Sequence, residues 1–166
     1  MPPEEVLAVL TALQARGFKF WLDGGWGIDA LLGQVTRPRG DVDLVVEMGM
    51  MPQVVGALEP LGFSVGEDLA PVRVVLSAPG GRQVDLHPVT FDEQGTGWQL
   101  GAAPGGADCP YPAWGFGHGR ILDREVPCLS PELQVEHHCG YEPTELDRLD
   151  MDRLSRHFGL ALPFPY

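Results

Sequence analysis

Residues 20–47 read FWLDGGWGIDALLGQVTRPRGDVDLVVE. The apolar run from Phe18 to Leu22 predicts a strand that leads into Gly24-Gly25-Trp26. Gly27 to Leu32 predicts a short helix ended by Gly33. Thr36-Arg37-Pro38-Arg39-Gly40 predicts a turn, because Pro38 forbids a helix running through it. Asp41 to Val46 predicts a second strand. On it Asp41 and Asp43 share one face, while Val42, Leu44 and Val46 point the other way. Glycines after a strand let the backbone come close to a phosphate chain and offer its N–H groups. Two carboxylates on one strand face can hold a pair of Mg²⁺ ions about 3.5–4 Å apart, with positions left for phosphate oxygens.

Outward from this stretch, residues 3–16 carry Val6, Leu7, Val9, Leu10 and Leu13 at helical spacing, with Gly17 as the stop. Residues 52–61 form a second helix, with Pro52 in its first turn and Gly62 after its end. Strands follow at 63–65, 72–77 and 83–87, the last two joined by Pro79-Gly80-Gly81. Residues 92–119, rich in Gly and Pro, read as a long loop carrying Trp98, Tyr111, Trp114 and Phe116. A hairpin is expected around Asp123-Arg124. Ser130 then caps a helix that opens at Pro131 and runs to Cys139, stopped by Gly140. Thr144 and Asp147 have the spacing of a capping box for a last helix to about residue 158. The expectation is one domain over 1–166, with an α/β core to about 129 and a helical subregion beyond.

Asp85, in Val84-Asp85-Leu86-His87-Pro88, supplies a third carboxylate. A strand laid beside the second would bring it across from Asp41 and Asp43. There it would complete a metal's ligands or take the proton of an acceptor hydroxyl. His87 shares its face and reads as a structural histidine near a strand end, with a place behind the metal ligands as the alternative. Asp150-Met151-Asp152 has the same spacing, but on a helix residues two apart diverge. That pair reads as a solvated face.

The chain has 166 residues and a formal net charge of −12. Nucleic-acid binding relies on basic patches, so that partner is not expected. The acidity suits a small cationic ligand. The sequence shows no apolar stretch of membrane-spanning length and no basic leader at its N-terminus, so a cytoplasmic protein is expected. The three cysteines, Cys109, Cys128 and Cys139, include no C-x-x-C, and with His137 and His138 they match no standard zinc spacing.

These residues carry a resemblance. Gly24-Gly25-Trp26-Gly27-Ile28-Asp29-Ala30-Leu31-Leu32-Gly33, Thr36-Arg37-Pro38, Asp41-Val42-Asp43-Leu44, Asp85-Leu86-His87-Pro88-Val89 and His138-Cys139-Gly140-Tyr141 together resemble the small antibiotic nucleotidyltransferases. These are the lincosamide and aminoglycoside 2''-type enzymes of the polymerase-β-like superfamily. The resemblance implies an α+β nucleotidyltransferase fold: a mixed sheet flanked by helices, with further helices at the C-terminus. It implies transfer of a nucleoside monophosphate, AMP from ATP, to a drug hydroxyl with release of pyrophosphate. Asp41, Asp43 and Asp85 become ligands of two Mg²⁺ ions, with Asp85 also the candidate base. Gly24, Gly25 and Trp26 become the phosphate cradle. The family often has His-Arg before its first Asp where this chain has Arg39-Gly40, so Arg37 or Arg39 is expected to take over the phosphate contact. Glu132, Glu136 and Tyr141 are candidate contacts for a small cationic, hydroxyl-bearing acceptor, with the acidity leaning toward an aminoglycoside. A homodimer is compatible with all of this.

Other readings compete. Gly25-x-Gly27-x-x-Ala30 imitates a dinucleotide-binding fingerprint, with Glu47 as its acid, but leaves Asp41, Asp43 and Asp85 without a role. A protein-modifying nucleotidyltransferase of a toxin–antitoxin pair, or a non-catalytic nucleotide-binding module, would keep the same fold.

Overall fold

The computed structural model describes residues 1–139 and 141–166. Its helices are α1 (Pro3–Gln14), α2 (Gly24–Leu32), α3 (Met51–Leu58), α4 (Pro131–His137) and α5 (Glu145–Phe158). Its strands are β1 (Phe20–Asp23), β2 (Asp41–Glu47), β3 (Ser64–Leu69), β4 (Arg73–Ala78), β5 (Arg82–Phe91), β6 (Gly97–Ala103), β7 (Ala107–Tyr111), β8 (Phe116–Ile121) and β9 (Arg124–Leu129). The sheet runs β3-β4-β5-β2-β1-β9-β8, with β6 and β7 added beyond the far end of β5. β2 lies parallel to β5 and antiparallel to β1, and β1 lies parallel to β9. This is the mixed α+β architecture that the resemblance implies.

β2 is central because its two faces differ. Val42, Leu44 and Val46 are fully buried against α1 and α3, in a core that includes Val6, Val9, Leu10, Leu13, Val54 and Leu58. A one-residue slip would turn all three outward, at about 1.5–3 kcal/mol for each exposed side chain. The register is therefore set by the apolar face, and the acidic face follows from it. On that second face Val45, Val89, Tyr111, Leu129 and Leu133 make a smaller core, flanked by Trp21, Phe91 and Phe116. Trp21 and Phe116 pack with ring centroids 4.3 Å apart and planes tilted by 42°.

The expected caps form. Ser130 accepts the N–H of Leu133, and Thr144 and Asp147 make a reciprocal capping box. α4 ends at His137, two residues before the expected Cys139, and the stop assigned to Gly140 lies outside the described residues. α2 starts at Gly24 rather than Gly27, because Asp23 caps it.

Residues 92–119 are not a loop. They hold β6, β7 and the start of β8. Gly and Pro hide these short strands by weakening the period-2 pattern. Gly97 is needed for packing rather than turning: a Cβ there would lie 3.1 Å from Val89. Of the aromatics in this segment, Tyr111 is buried while Trp98 and Trp114 are exposed.

Asp150 is not on a solvated face. It is buried, as is Met151, whereas the neighbouring Asp152 faces outward and pairs with Arg156. The two acids do diverge as the helical geometry requires. What periodicity leaves open is that the inward one meets arginines.

Candidate active site

β2 and β5 run in register, so Asp43 is the direct partner of Asp85. On the other side of β2, Asp43 is the partner of Asp23 at the end of β1. Three carboxylates thus form a row across three adjacent strands. Asp41 lies two residues back from Asp43 on the same face and joins Asp85 in lining a cavity of about 250 Å³. The structure brings Asp41, Asp43 and Asp85 together. Asp23 is a further member that the sequence motif leaves out, although its place immediately before Gly24-Gly25 is a signal for a helix cap.

Ligand atoms of Asp43, Asp85 and His87 lie within 4.8 Å of one another. Asp85 Oδ1 is buried with no partner among the described residues. Burial raises the Asp85 pKa, the His87 and Arg73 charges offset this in part, and Asp43 and Asp41 add to the rise. Asp41 is also raised, by burial and then by Asp43. An orphaned carboxylate oxygen among mutually repelling acids is a donor set that fits a divalent cation.

His87 Nε2 stands 3.5 Å from Asp43 Oδ1. Behind it the Gln99 amide nitrogen lies 2.6 Å from the Val72 carbonyl and 3.2 Å from His87 Nδ1. The Tyr111 hydroxyl donates to Gln99 Oε1 at 2.8 Å, which fixes the amide orientation. An N–H facing Nδ1 leaves the ring proton on Nε2. Burial by itself would lower the His87 pKa, but Asp43, then Asp23 and Asp85, outweigh it and raise it. A neutral and a charged ring both carry hydrogen on Nε2, so His87 faces Asp43 as a donor rather than as a metal ligand.

Gly24, Gly25 and Trp26 form the first turn of α2. The Gly24 N–H donates to Asp23 Oδ1 at 2.7 Å, so it is already engaged. The N–H groups of Gly25 and Trp26 have no intrahelical acceptor and point out of the positive end of the helix. Gly24 has φ +52°, and a Cβ there would sit 2.3 Å from Asp43 Oδ2. Glycine is what lets this turn lie against the carboxylate.

Arg37 and Arg39, expected to contact phosphate, pair with Asp29 and Asp150 rather than with Asp41, Asp43 or Asp85, although the Arg37 charge is felt at Asp41. Arg39 is buried, with Nη2 2.8 Å from Asp29 and Nη1 2.5 Å from Asp150. Arg37 Nη2 is 2.8 Å from the same Asp150 oxygen. A Cβ on Gly25 would meet Arg39 Nη1 at 2.6 Å, so Arg39 supports the turn from behind. The cation beside the carboxylates is Arg73, whose Nη2 is 3.0 Å from Asp85 Oδ2. Its position on β4 bears no motif and has no sequence signal.

Beside the row opens a larger pocket of about 690 Å³, lined by Asp23, Arg73, His87, Tyr111, Glu136 and Tyr141 among others. Two of the candidate acceptor residues, Glu136 and Tyr141, are in it. Glu132 is not: it lines a separate apolar cavity with Leu160 and Leu162. The two acids lie one turn apart on the same side of α4, and Glu136 borders both cavities while Glu132 borders only the apolar one. His137 Nδ1 lies 4.0 Å from Asp23 Oδ2. Burial would lower its pKa, yet Asp23 and then Cys109 raise it to about 10, so Asp23 faces a charged imidazolium at neutral pH.

A carboxylate row beside a glycine-opened helix, on this sheet, defines a nucleotidyltransferase. A family profile described as aminoglycoside-2''-adenylyltransferase matches residues 5–154. The chain belongs to that family. It is 30% identical over 151 residues to a lincosamide resistance protein of Staphylococcus haemolyticus, covering 91% of this chain and 92% of that one. It is 33% identical over 127 residues to a 2''-aminoglycoside nucleotidyltransferase of Klebsiella pneumoniae, covering 76% and 67%. Among solved structures it is similar to the lincosamide antibiotic adenylyltransferase LnuA with lincomycin bound. That match has TM-score 0.82 and 30% identity over 93% of this chain and 97% of that one. ANT(2'')-Ia in complex with adenylyl-2''-tobramycin shares the fold, with TM-score 0.75 and 22% identity over 95% and 91%. No helix among the described residues is long and apolar enough to cross a membrane.

Proposed function

We propose that this enzyme transfers AMP from ATP to a hydroxyl of a small cationic antibiotic and releases pyrophosphate. The observation that carries it is the register pairing of Asp43 with Asp85 directly beside the first turn of α2. Asp41, Asp43 and Asp85 would hold two Mg²⁺ ions, which supply charge neutralisation to the reacting phosphate and the leaving pyrophosphate. The free N–H groups of Gly25 and Trp26 receive the triphosphate at the helix N-terminus. Asp85, with its raised proton affinity, takes the acceptor hydroxyl proton. The acceptor oxygen bonds to the α-phosphorus as the bond from phosphorus to the β-phosphate oxygen breaks, in line. His87 holds Asp43 in place through Nε2.

The larger pocket favours a lincosamide over a polycationic aminoglycoside. Its wall includes Val72, Ala102, Ala103, Pro104, Tyr111 and Tyr141. Asp23 is answered by His137, which leaves Glu136 as the acid without an ion pair among the described residues. One carboxylate beside an apolar wall suits a single amine on an apolar scaffold. The overall acidity, which leans the other way, is spread over the surface and says little about this wall. The reaction would run in the cytoplasm, where ATP is available.

The test is pyrophosphate release with Mg²⁺, each of the four nucleoside triphosphates, and separate lincosamides and aminoglycosides. Release that requires ATP and a lincosamide is the expected result. Nucleotide binding with no release for any drug would overturn the antibiotic acceptor.

A further inference from the structure

Two cavities border the carboxylate row. The cavity of about 250 Å³ on β3, β4 and β5 and the pocket of about 690 Å³ against α4 have one lining residue in common, Arg73. Its Nη2 lies 3.0 Å from Asp85 Oδ2 and 3.8 Å from Glu67 Oε2. Its Nε is buried with no partner among the described residues. The guanidinium therefore has an unused inward donor beside the third carboxylate. The expected phosphate-binding arginines, Arg37 and Arg39, are locked against Asp29 and Asp150. No other arginine among the described residues lines either cavity.

We infer that Arg73 is a catalytic residue: on substrate binding its guanidinium leaves Asp85 and takes the non-bridging oxygens of the α-phosphate being transferred. This rests on the nucleotidyl transfer proposed above and adds a residue to it. Two changes of partner occur together. Asp85 loses a competing cation and becomes free for metal and for the acceptor proton. Arg73 gains an anion whose charge grows as the phosphorus becomes five-coordinate, and a planar fork suits two oxygens of one phosphate. A cation placed against developing charge stabilises the transition state, and the Arg73 side chain, 41% exposed, is free to make that move.

Two measurements read this on the full-length protein. The first is equilibrium binding of α,β-methylene-ATP with Mg²⁺, which needs no turnover. Arg73→Gln is expected to bind it about tenfold more weakly, the scale of one charge-assisted hydrogen bond. The second is turnover with the two diastereomers of ATP carrying sulfur on the α-phosphate, using whichever of lincomycin or tobramycin the wild type modifies. Arg73→Gln is expected to lower kcat about 10²-fold and to collapse the rate ratio between the diastereomers, with Arg73→Lys in between. A structural residue that only screens Asp85 would leave that ratio unchanged. Wild-type binding by a folded Arg73→Gln overturns the inference, and so does an unaltered diastereomer ratio. A wild type that binds the analogue but modifies neither drug would sink the antibiotic-transfer reading, and the binding measurement would still decide Arg73.

Discussion

Arg39, in the turn before β2, and Asp150, on α5, lie 111 residues apart in sequence and 2.5 Å apart in space. The Arg39 side chain is 2% exposed and that of Asp150 is 4% exposed, and Asp29 of α2 completes the cluster from the other side of the guanidinium. The turn that delivers β2, the helix that opens the site and the last helix are thus joined at one point. Removing Arg39 leaves the buried Asp29 carboxylate with no cation among the described residues, whereas removing Asp150 leaves Arg39 its pair with Asp29. Arg39→Ala should cost about 3–5 kcal/mol in urea unfolding, and a loss under about 1 kcal/mol would show that the cluster is not structural.

Stability should fall at both pH extremes for separate reasons. Burial alone would raise the Asp150 pKa, but Arg39 and Arg37 outweigh it and hold it below its ordinary value. A depressed carboxylate stabilises the fold above its unfolded pKa of about 3.9, and that contribution is lost as pH falls through the folded value. His137 is raised to about 10, so its contribution is complete below about 6.5 and disappears as pH climbs toward the folded value. A series of thermal melts from pH 3 to pH 10 checks both. His137→Gln should flatten the alkaline limb and also reduce the acid limb, because burial would raise the Asp23 pKa and His137 leads the groups that hold it below its ordinary value.

Gly24→Ala should be among the most damaging single-methyl changes. It places a Cβ 2.3 Å from Asp43 Oδ2 at a φ of +52°. The turn or the carboxylate must move, and misplacement near 1 Å costs on the order of 100-fold in rate. Steady-state kinetics should show a raised KM for ATP together with a lowered kcat. Unchanged kinetics would remove this turn from the site.

Asp85→Asn should separate stability from activity. Burial, Asp43 and Asp41 disfavour its charge more than His87 and Arg73 favour it. The neutral isostere should therefore melt no lower than the wild type without Mg²⁺ at neutral pH. Turnover should fall about 10²–10⁴-fold, the scale of a lost general base. A folded variant with wild-type turnover would take Asp85 out of the mechanism.

Glu136→Gln tests the acceptor wall. It should raise the KM for a lincosamide about tenfold with little change in kcat, because a ground-state ion pair is lost. Glu132→Gln is the control and should leave KM unchanged, since that side chain does not line the larger pocket.

Much of this arrangement was legible in residues 20–47 and 84–88. Strand alternation alone puts Asp41 and Asp43 on one face and Val42, Leu44 and Val46 on the other, and the structure keeps that division. Caps at Ser130 and Thr144 were legible because each depends only on groups three residues apart in the chain. The strands in 92–119 were not, because Gly and Pro blur their alternation, although hairpin partners close in sequence hold them.

By itself the sequence determined which residues share a face, where Ser130 and Thr144 cap their helices, and that three carboxylates could converge, since these follow from local geometry. Only the tertiary structure decided what each face meets. It sent Arg37 and Arg39 to Asp29 and Asp150, brought Arg73 to Asp85, added Asp23 to the row, and turned Glu136 but not Glu132 toward the pocket. The physical reason is that periodicity orients a side chain relative to its own element. A charge finds its partner only through packing between elements, which no local pattern encodes.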